Sequence, residues 1–363
     1  MATCYRNIAT FVSPAEAIGE LTVITDAAIV VDDGQVTWLG KDLDAPACET
    51  EVDLTGKTVI PGFVDSHSHL VFGGERSEEF ASRMAGKKYE AGGINSTVSA
   101  TRSATAEELR ANTAGLVQEL FASGITTFEI KSGYGLDIET EKLSLEIASE
   151  FTEEVTFLGA HVVPAGSESD DYTDLVAGKM LESITAKWVD VFCDTGAFSV
   201  VQARKVLTAG IAAGLKPRMH ANQLSNIGAI ALAVELDCAS VDHCTFLDDN
   251  DIELLKNSNT VATLLPGAEF STRSPYPQGG KLMNAGIAVA LATDCNPGSS
   301  FTSSMAFCIA VAVRDMGFSV DQAIWAATKG GAMALRGNQG VLEVGSRADF
   351  VVLDAPNHIY LAY

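Results

Sequence analysis

From about residue 59 onward the chain repeats a single pattern. A short apolar run rich in β-branched residues is followed by a longer stretch whose apolar positions recur every three or four residues. The apolar runs are Val59–His67, Thr126–Lys131, Val155–His161, Trp188–Cys193, Lys216–His220, Ala239–His243, Thr260–Leu265 and Ile287–Asp294. Among the stretches between them, Ala106–Ala122, Glu139–Phe151, Val200–Ala213 and Asp248–Asn257 have helical length and spacing. Strand and helix in strict alternation imply parallel strands, because each helix carries the chain back to the start of the next strand. Eight such units imply closure into a (β/α)₈ TIM barrel, of mixed α/β class.

The flanks break this rhythm. Ala28–Val31, Asp32-Asp33-Gly34 and Gln35–Gly40 form a strand–turn–strand pattern, and Gly345–Asp354 is patterned as a lone strand after a turn. The expected organisation is therefore residues 57–339 as the barrel, with residues 1–56 and 340–363 meeting as a small β-sandwich module. Composition changes this picture little. A hydrophobic fraction of 47% and a charged fraction of 20% describe an ordinary globular chain with ample core. No apolar run reaches the ~20 residues of a membrane span, and the first ten residues carry no export signal. Seven scattered cysteines without a paired spacing point to free thiols in a reducing, cytoplasmic setting; Cys193, Cys244 and Cys295 fall near strand ends but fit as small buried hydrophobes. A net charge of −23 argues against nucleic acid and anionic membranes as partners. It also means that an anionic substrate needs local positive groups.

Candidate chemistry lies at the ends of the runs. The first ends Asp65-Ser66-His67-Ser68-His69, and alternation along a strand turns His67 and His69 to one face. His161, His220, His243 and Asp294 end the third, fifth, sixth and eighth runs, while His358 lies outside the pattern and is expected at the surface. Active sites of this fold are built at those C-terminal ends. Three imidazoles and one carboxylate, His67, His69, His220 and Asp294, suit one metal ion, zinc or iron, which would lower the pKa of a bound water to about 7. Two-metal barrels use a carboxylated lysine on the fourth strand. Here that strand reads Asp190-Val191-Phe192-Cys193, while Lys131 on the second is expected to support the site by hydrogen bonds.

Pro61–Arg76 (PGFVDSHSHLVFGGER), Glu129–Gly135 (EIKSGYG), Phe157–His161 (FLGAH), His220–Ser225 (HANQLS), Asp242-His243 and Ala292–Ser300 (ATDCNPGSS), taken in order, resemble the imidazolonepropionase family of the amidohydrolase superfamily. The resemblance implies hydrolysis of 4-imidazolone-5-propanoate to N-formimidoyl-L-glutamate in histidine degradation, by a homodimer. It implies the same four metal ligands, with His243 beside the attacking water and Asp294 taking the proton and returning it to the departing nitrogen. It places Arg76, Tyr134, His161, Gln223, Asn296, Gly298 and Ser299 against the substrate. An arginine fork suits the propionate, and the turn Asn296–Ser299, with exposed N–H groups, suits a second carboxylate. The family pattern continues beyond Tyr363, so the small module is expected to be incomplete. Asn222 stands where an aspartate is common in the family, and Gln223 where some members carry glutamate.

Two other readings compete. Ring deaminases of the same superfamily place a glutamate three residues after the fifth-strand histidine to protonate the departing ammonia; Gln223 cannot supply that proton. A barrel that only binds small molecules needs no intact ligand set, and here the set is intact.

Overall fold

The computed structural model describes residues 2–87 and 93–363. The N-terminal segment lays down β1 (Thr3–Pro14), β2 (Leu21–Asp32), β3 (Gln35–Lys41), β4 (Thr50–Asp53) and β5 (Thr58–Pro61). The β2–β3 hairpin turns at Asp33 and Gly34, both at positive φ, which is the backbone handedness that a two-residue hairpin requires.

The barrel strands follow: β6 (Phe63–Asp65), β7 (Ile125–Phe128) continued by β8 (Ile130–Lys131), β9 (Val155–Ala160), β10 (Trp188–Cys193), β11 (Lys216–Pro217) continued by β12 (Met219–Ala221), β13 (Ser240–His243), β14 (Val261–Leu264) and β15 (Val289–Leu291). Counting the two interrupted strands once each gives eight parallel positions. The ring closes where the amide of Asp294 donates to the carbonyl of His67 (3.0 Å) and that of His69 to Cys295 (2.9 Å). The helices between them match the periodicity closely: Ala106–Ala122, Ile138–Ser149, Val200–Ala212 and Asp249–Lys256. Thr105 with Glu108, and Ser199 with Gln202, close capping boxes that satisfy the first amides of two of them.

The last strand, β16 (Phe350–Leu353), pairs antiparallel with β5. Both termini thus enter one six-stranded sheet with its own buried cluster of Ile8, Phe11, Ile29, Val36, Val59 and Leu342. Two expectations change. The run Val59–His67 is not one barrel strand, because Thr58–Pro61 belongs to the terminal sheet and only Phe63–Asp65 enters the barrel. Gly62 divides them, and a Cβ there would sit 2.1 Å from Thr126 Oγ1. His358 is not a surface residue: it is 9% exposed, with Nε2 2.9 Å from Asp321 Oδ1 on the helix Val320–Trp325.

Candidate active site

The histidines reach one point because each lies at the C-terminal end of a barrel strand. His67 and His69 lie in the extended segment just past β6, His220 is the middle residue of β12, His243 ends β13, and Asp294 lies three residues after β15. None is more than 3% exposed. His67 Nε2 lies 3.2 Å from His69 Nε2, and Asp294 Oδ1 is 3.5 and 3.6 Å from the two. The rings of His67 and His220 are 4.5 Å apart between centroids. The ligating atoms of His67, His69 and Asp294 lie within 4.8 Å of one another, as do those of His67, His220 and His243.

The protonation states follow from what stands behind each ring. His67 Nδ1 is 2.7 Å from Asp242 Oδ2, and His220 Nδ1 is 3.0 Å from Asp190 Oδ2. The Asp242 carboxylate holds a proton on Nδ1 of His67, so that ring's Nε2 presents its lone pair to the centre. Burial and neighbouring charges keep His67, His69 and His243 far below the usual imidazole range, hence neutral and able to ligate. Two imidazole nitrogens 3.2 Å apart, with a carboxylate oxygen 3.5 and 3.6 Å from them, converge on one point, and this donor set fits a metal ion. Burial, reinforced by the charge of Glu269, pushes Asp294 well above the ordinary carboxyl range.

Beneath the histidines lies a fully buried ionic cluster. Lys131 Nζ is 2.8 Å from Asp190 Oδ2, 2.9 Å from Glu129 Oε1 and 3.6 Å from Asp242 Oδ2. Arg218 Nη2 donates to Ser66 O (2.5 Å) and lies 3.5 Å from Asp242 Oδ2. Burial opposes the charge on Asp190, but His220 and Lys131 outweigh it and hold the carboxyl well below its usual range. Lys131 thus supports the site through hydrogen bonds, as its position suggests.

One cavity above the histidines is lined by His69, Arg76, Tyr134, His161, His220, Gln223, His243, Asp294, Asn296 and Ser299, with Ile94, Val162 and Phe192 as apolar wall. Of the residues expected at the site, His67 lies beneath this floor and Gly298 lines an adjoining cavity shared with Arg76. His161 stacks on His69 with centroids 5.3 Å apart, and its Nδ1 is 2.9 Å from Gly133 O. Burial lowers its pKa to about 3, so the ring is neutral. Glu141 accepts the amides of Gly133, Gly135 and Leu136 and so fixes the loop that carries Tyr134.

Arg76 gives Nε and Nη2 to Glu79 at 2.8 and 2.7 Å. The expected exposed amides at Gly298 and Ser299 are not exposed: Asn296 Oδ1 accepts both at 2.8 Å. The turn closes on its own side chain, as Asn-Pro-Gly sequences tend to, so the amides there do not face the cavity as an anion cradle. At the strand ends around the site, Asn222, His243, Cys244 and Asp294 take positive φ without being glycine. Such strain collects at functional sites.

A parallel barrel with histidines and an aspartate converging at its C-terminal rim defines a class, the metal-dependent hydrolases. In agreement, the family model described as "Amidohydrolase family" matches residues 58–362; the chain belongs to that family. Solved structures of the same fold include E. coli guanine deaminase (TM-score 0.71, 18% identity, 98% of this chain and 88% of that one) and a zinc-bound adenosine deaminase from Xanthomonas campestris (TM-score 0.67, 17% identity, 97% and 84%). Sequence narrows the assignment. An imidazolonepropionase of Mycolicibacterium smegmatis is 57% identical over 98% of this chain and 92% of its own length. One of Streptomyces griseus is 55% identical over 99% and 95%. Within the amidohydrolases, the chain belongs with the imidazolonepropionases.

Proposed function

We propose that the protein hydrolyses the ring C–N bond of 4-imidazolone-5-propanoate to give N-formimidoyl-L-glutamate. The observation that carries this reading is a cavity with imidazoles and Asp294 on its floor and Arg76 in its wall, in a chain more than half identical to imidazolonepropionases over nearly its full length. His67, His69, His220 and Asp294 would hold one metal ion, zinc or iron. When bound, such an ion acts as a Lewis acid toward water and the ring carbonyl.

The chain's own groups do the rest. Asp294 accepts a proton from the attacking water and returns it to the departing ring nitrogen. Burial favours that role by raising its proton affinity. His243, with its ring 5.4 Å from that of His220, orients the water. With Nδ1 turned to Gly133 O, His161 presents Nε2 as an acceptor for a ring N–H. Gln223 offers an amide for the ring's other polar edge, and Tyr134 and Ser299 line the propionate's path. Arg76 supplies the local cation that an anionic substrate needs in a chain of net charge −23. Gln223 has no titratable proton to give to leaving ammonia, which favours hydrolysis of the ring over deamination.

The homodimer follows from the family resemblance. A cytoplasmic setting accords with seven cysteines that are all free. Incubation of the metal-loaded protein with imidazolone propanoate, followed by loss of its ultraviolet absorbance, tests the assignment. Folded, metal-loaded protein that leaves the absorbance unchanged overturns it.

A further inference from the structure

The ionic cluster under the histidines has the makings of a second metal site. Ligand atoms of Asp190, His220 and Asp242 lie within 4.8 Å of one another, fully buried, beside the groups that form the primary site. What stands among them is the ammonium of Lys131, held by Asp190, Glu129 and Asp242 at 2.8, 2.9 and 3.6 Å. The first two are spacings of charge-assisted hydrogen bonds and the third that of an ion pair, all wider than the ~2.0–2.2 Å of zinc–carboxylate bonds.

We propose that Lys131 is a positioning residue that acts as a built-in counter-cation: its ammonium fills the place of a second metal ion and so keeps the centre mononuclear. This rests on the metal reading of the primary site. Formal charge supports it. Glu129, Asp190 and Asp242 set against Lys131 and Arg218 leave one negative charge, and Asp294 adds a second, which one divalent ion balances.

The three carboxylates are also already committed. Asp242 holds His67 Nδ1 and Asp190 holds His220 Nδ1. Glu129 accepts the amide of Ser68, between His67 and His69, at 3.1 Å. An ion bonding to these oxygens directly would draw them off the histidines they orient. An ammonium, with longer and softer contacts, leaves that alignment in place. A covalently attached cation is also always present, whatever the supply of metal.

The test counts zinc per chain by elemental analysis after incubation with excess zinc and desalting, for the wild type, Lys131→Ala and Lys131→Met. The wild type should hold one equivalent. Lys131→Ala, which opens the space and removes the charge, should hold two; Lys131→Met, which fills the space without charge, should hold one. A folded Lys131→Ala protein that still holds one equivalent overturns the proposal. Should Lys131→Ala fold only when zinc is present, that dependence and two equivalents are the expected result. The wild type decides the matter on its own as well. Two equivalents in the wild type, the second lost in Asp190→Asn, would show that Lys131 does not exclude a second ion. Wild-type protein that binds no zinc or iron instead overturns the metal reading beneath the proposal.

Discussion

Replacing Gly298 by alanine should cripple substrate capture through a residue the methyl group merely touches. A Cβ at position 298 would lie 2.1 Å from Arg76 Nη1 and 2.7 Å from its Cζ, well inside contact distance. The turn cannot retreat. The amide of Gly298 donates to Asn296 Oδ1 at 2.8 Å, and its carbonyl accepts from Arg83 Nη2 at 2.6 Å. The guanidinium must therefore move, although Glu79 grips it at 2.8 and 2.7 Å. A displacement of that size breaks a charge-assisted hydrogen bond, worth about 1.5–3 kcal/mol. At 1.4 kcal/mol per factor of ten, the expected rise in KM is about 10- to 100-fold. Overpacking should also lower stability by roughly 1–3 kcal/mol.

Steady-state kinetics on Gly298→Ala, Arg76→Met and the double variant separate the causes. If the methyl acts only through Arg76, the double variant should have the KM of Arg76→Met alone, with strong non-additivity. Normal KM in Gly298→Ala, or simple additivity in the double variant, would refute the argument that Arg76 sits under this turn and holds the propionate.

The other expected outcomes concern the metal, the proton and pH. His67→Ala and His220→Ala should lose bound metal by elemental analysis and lose turnover, while circular dichroism still reports a folded barrel. Asp294→Asn should lower kcat by at least ~10²-fold, as loss of general acid–base transfer does, with substrate still binding; a near-normal kcat would place the proton elsewhere. Glu269 is buried, its Oε1 accepts from Thr245 at 2.8 Å, and burial raises its pKa to about 8. The folded protein thus keeps a proton that the unfolded chain releases near the ordinary glutamate value, so stability falls as pH rises from there through about 8. Glu269→Gln should flatten that fall, gaining more in denaturation midpoint at pH 9 than at pH 5; an equal change at both would contradict the shift.

The primary site was legible in the sequence because its chemistry coincides with strand ends, and periodicity finds strand ends well. His67, His69, His220, His243 and Asp294 all follow apolar runs, and the barrel converts that shared position into proximity. The groups behind them were not legible in the same way. Asp190 and Asp242 lie inside apolar runs, where a carboxylate reads as an interruption of the strand. The usable signal is energetic: a charge in a strand buried on both faces needs a partner, and the candidate partners, Lys131 and Arg218, also lie in barrel strands or between their segments. Arg76 and Glu79, three residues apart in sequence, were open to the same reasoning. The division of Val59–His67 was signalled only by Pro61-Gly62, since periodicity does not say to which sheet a strand belongs.

The terminal sheet has a consequence for how the chain is made. Pro61 pairs with Phe350, which leaves the ribosome 289 positions later. At roughly 5–20 residues per second, synthesis takes about 15–60 s to deliver that partner. Until then the outer edge of β5 presents bare N–H and C=O groups, an invitation to pair with another nascent chain. Removing β16 should therefore reduce soluble yield far more than the loss of four residues from a sheet would predict, and a holding chaperone should restore part of it.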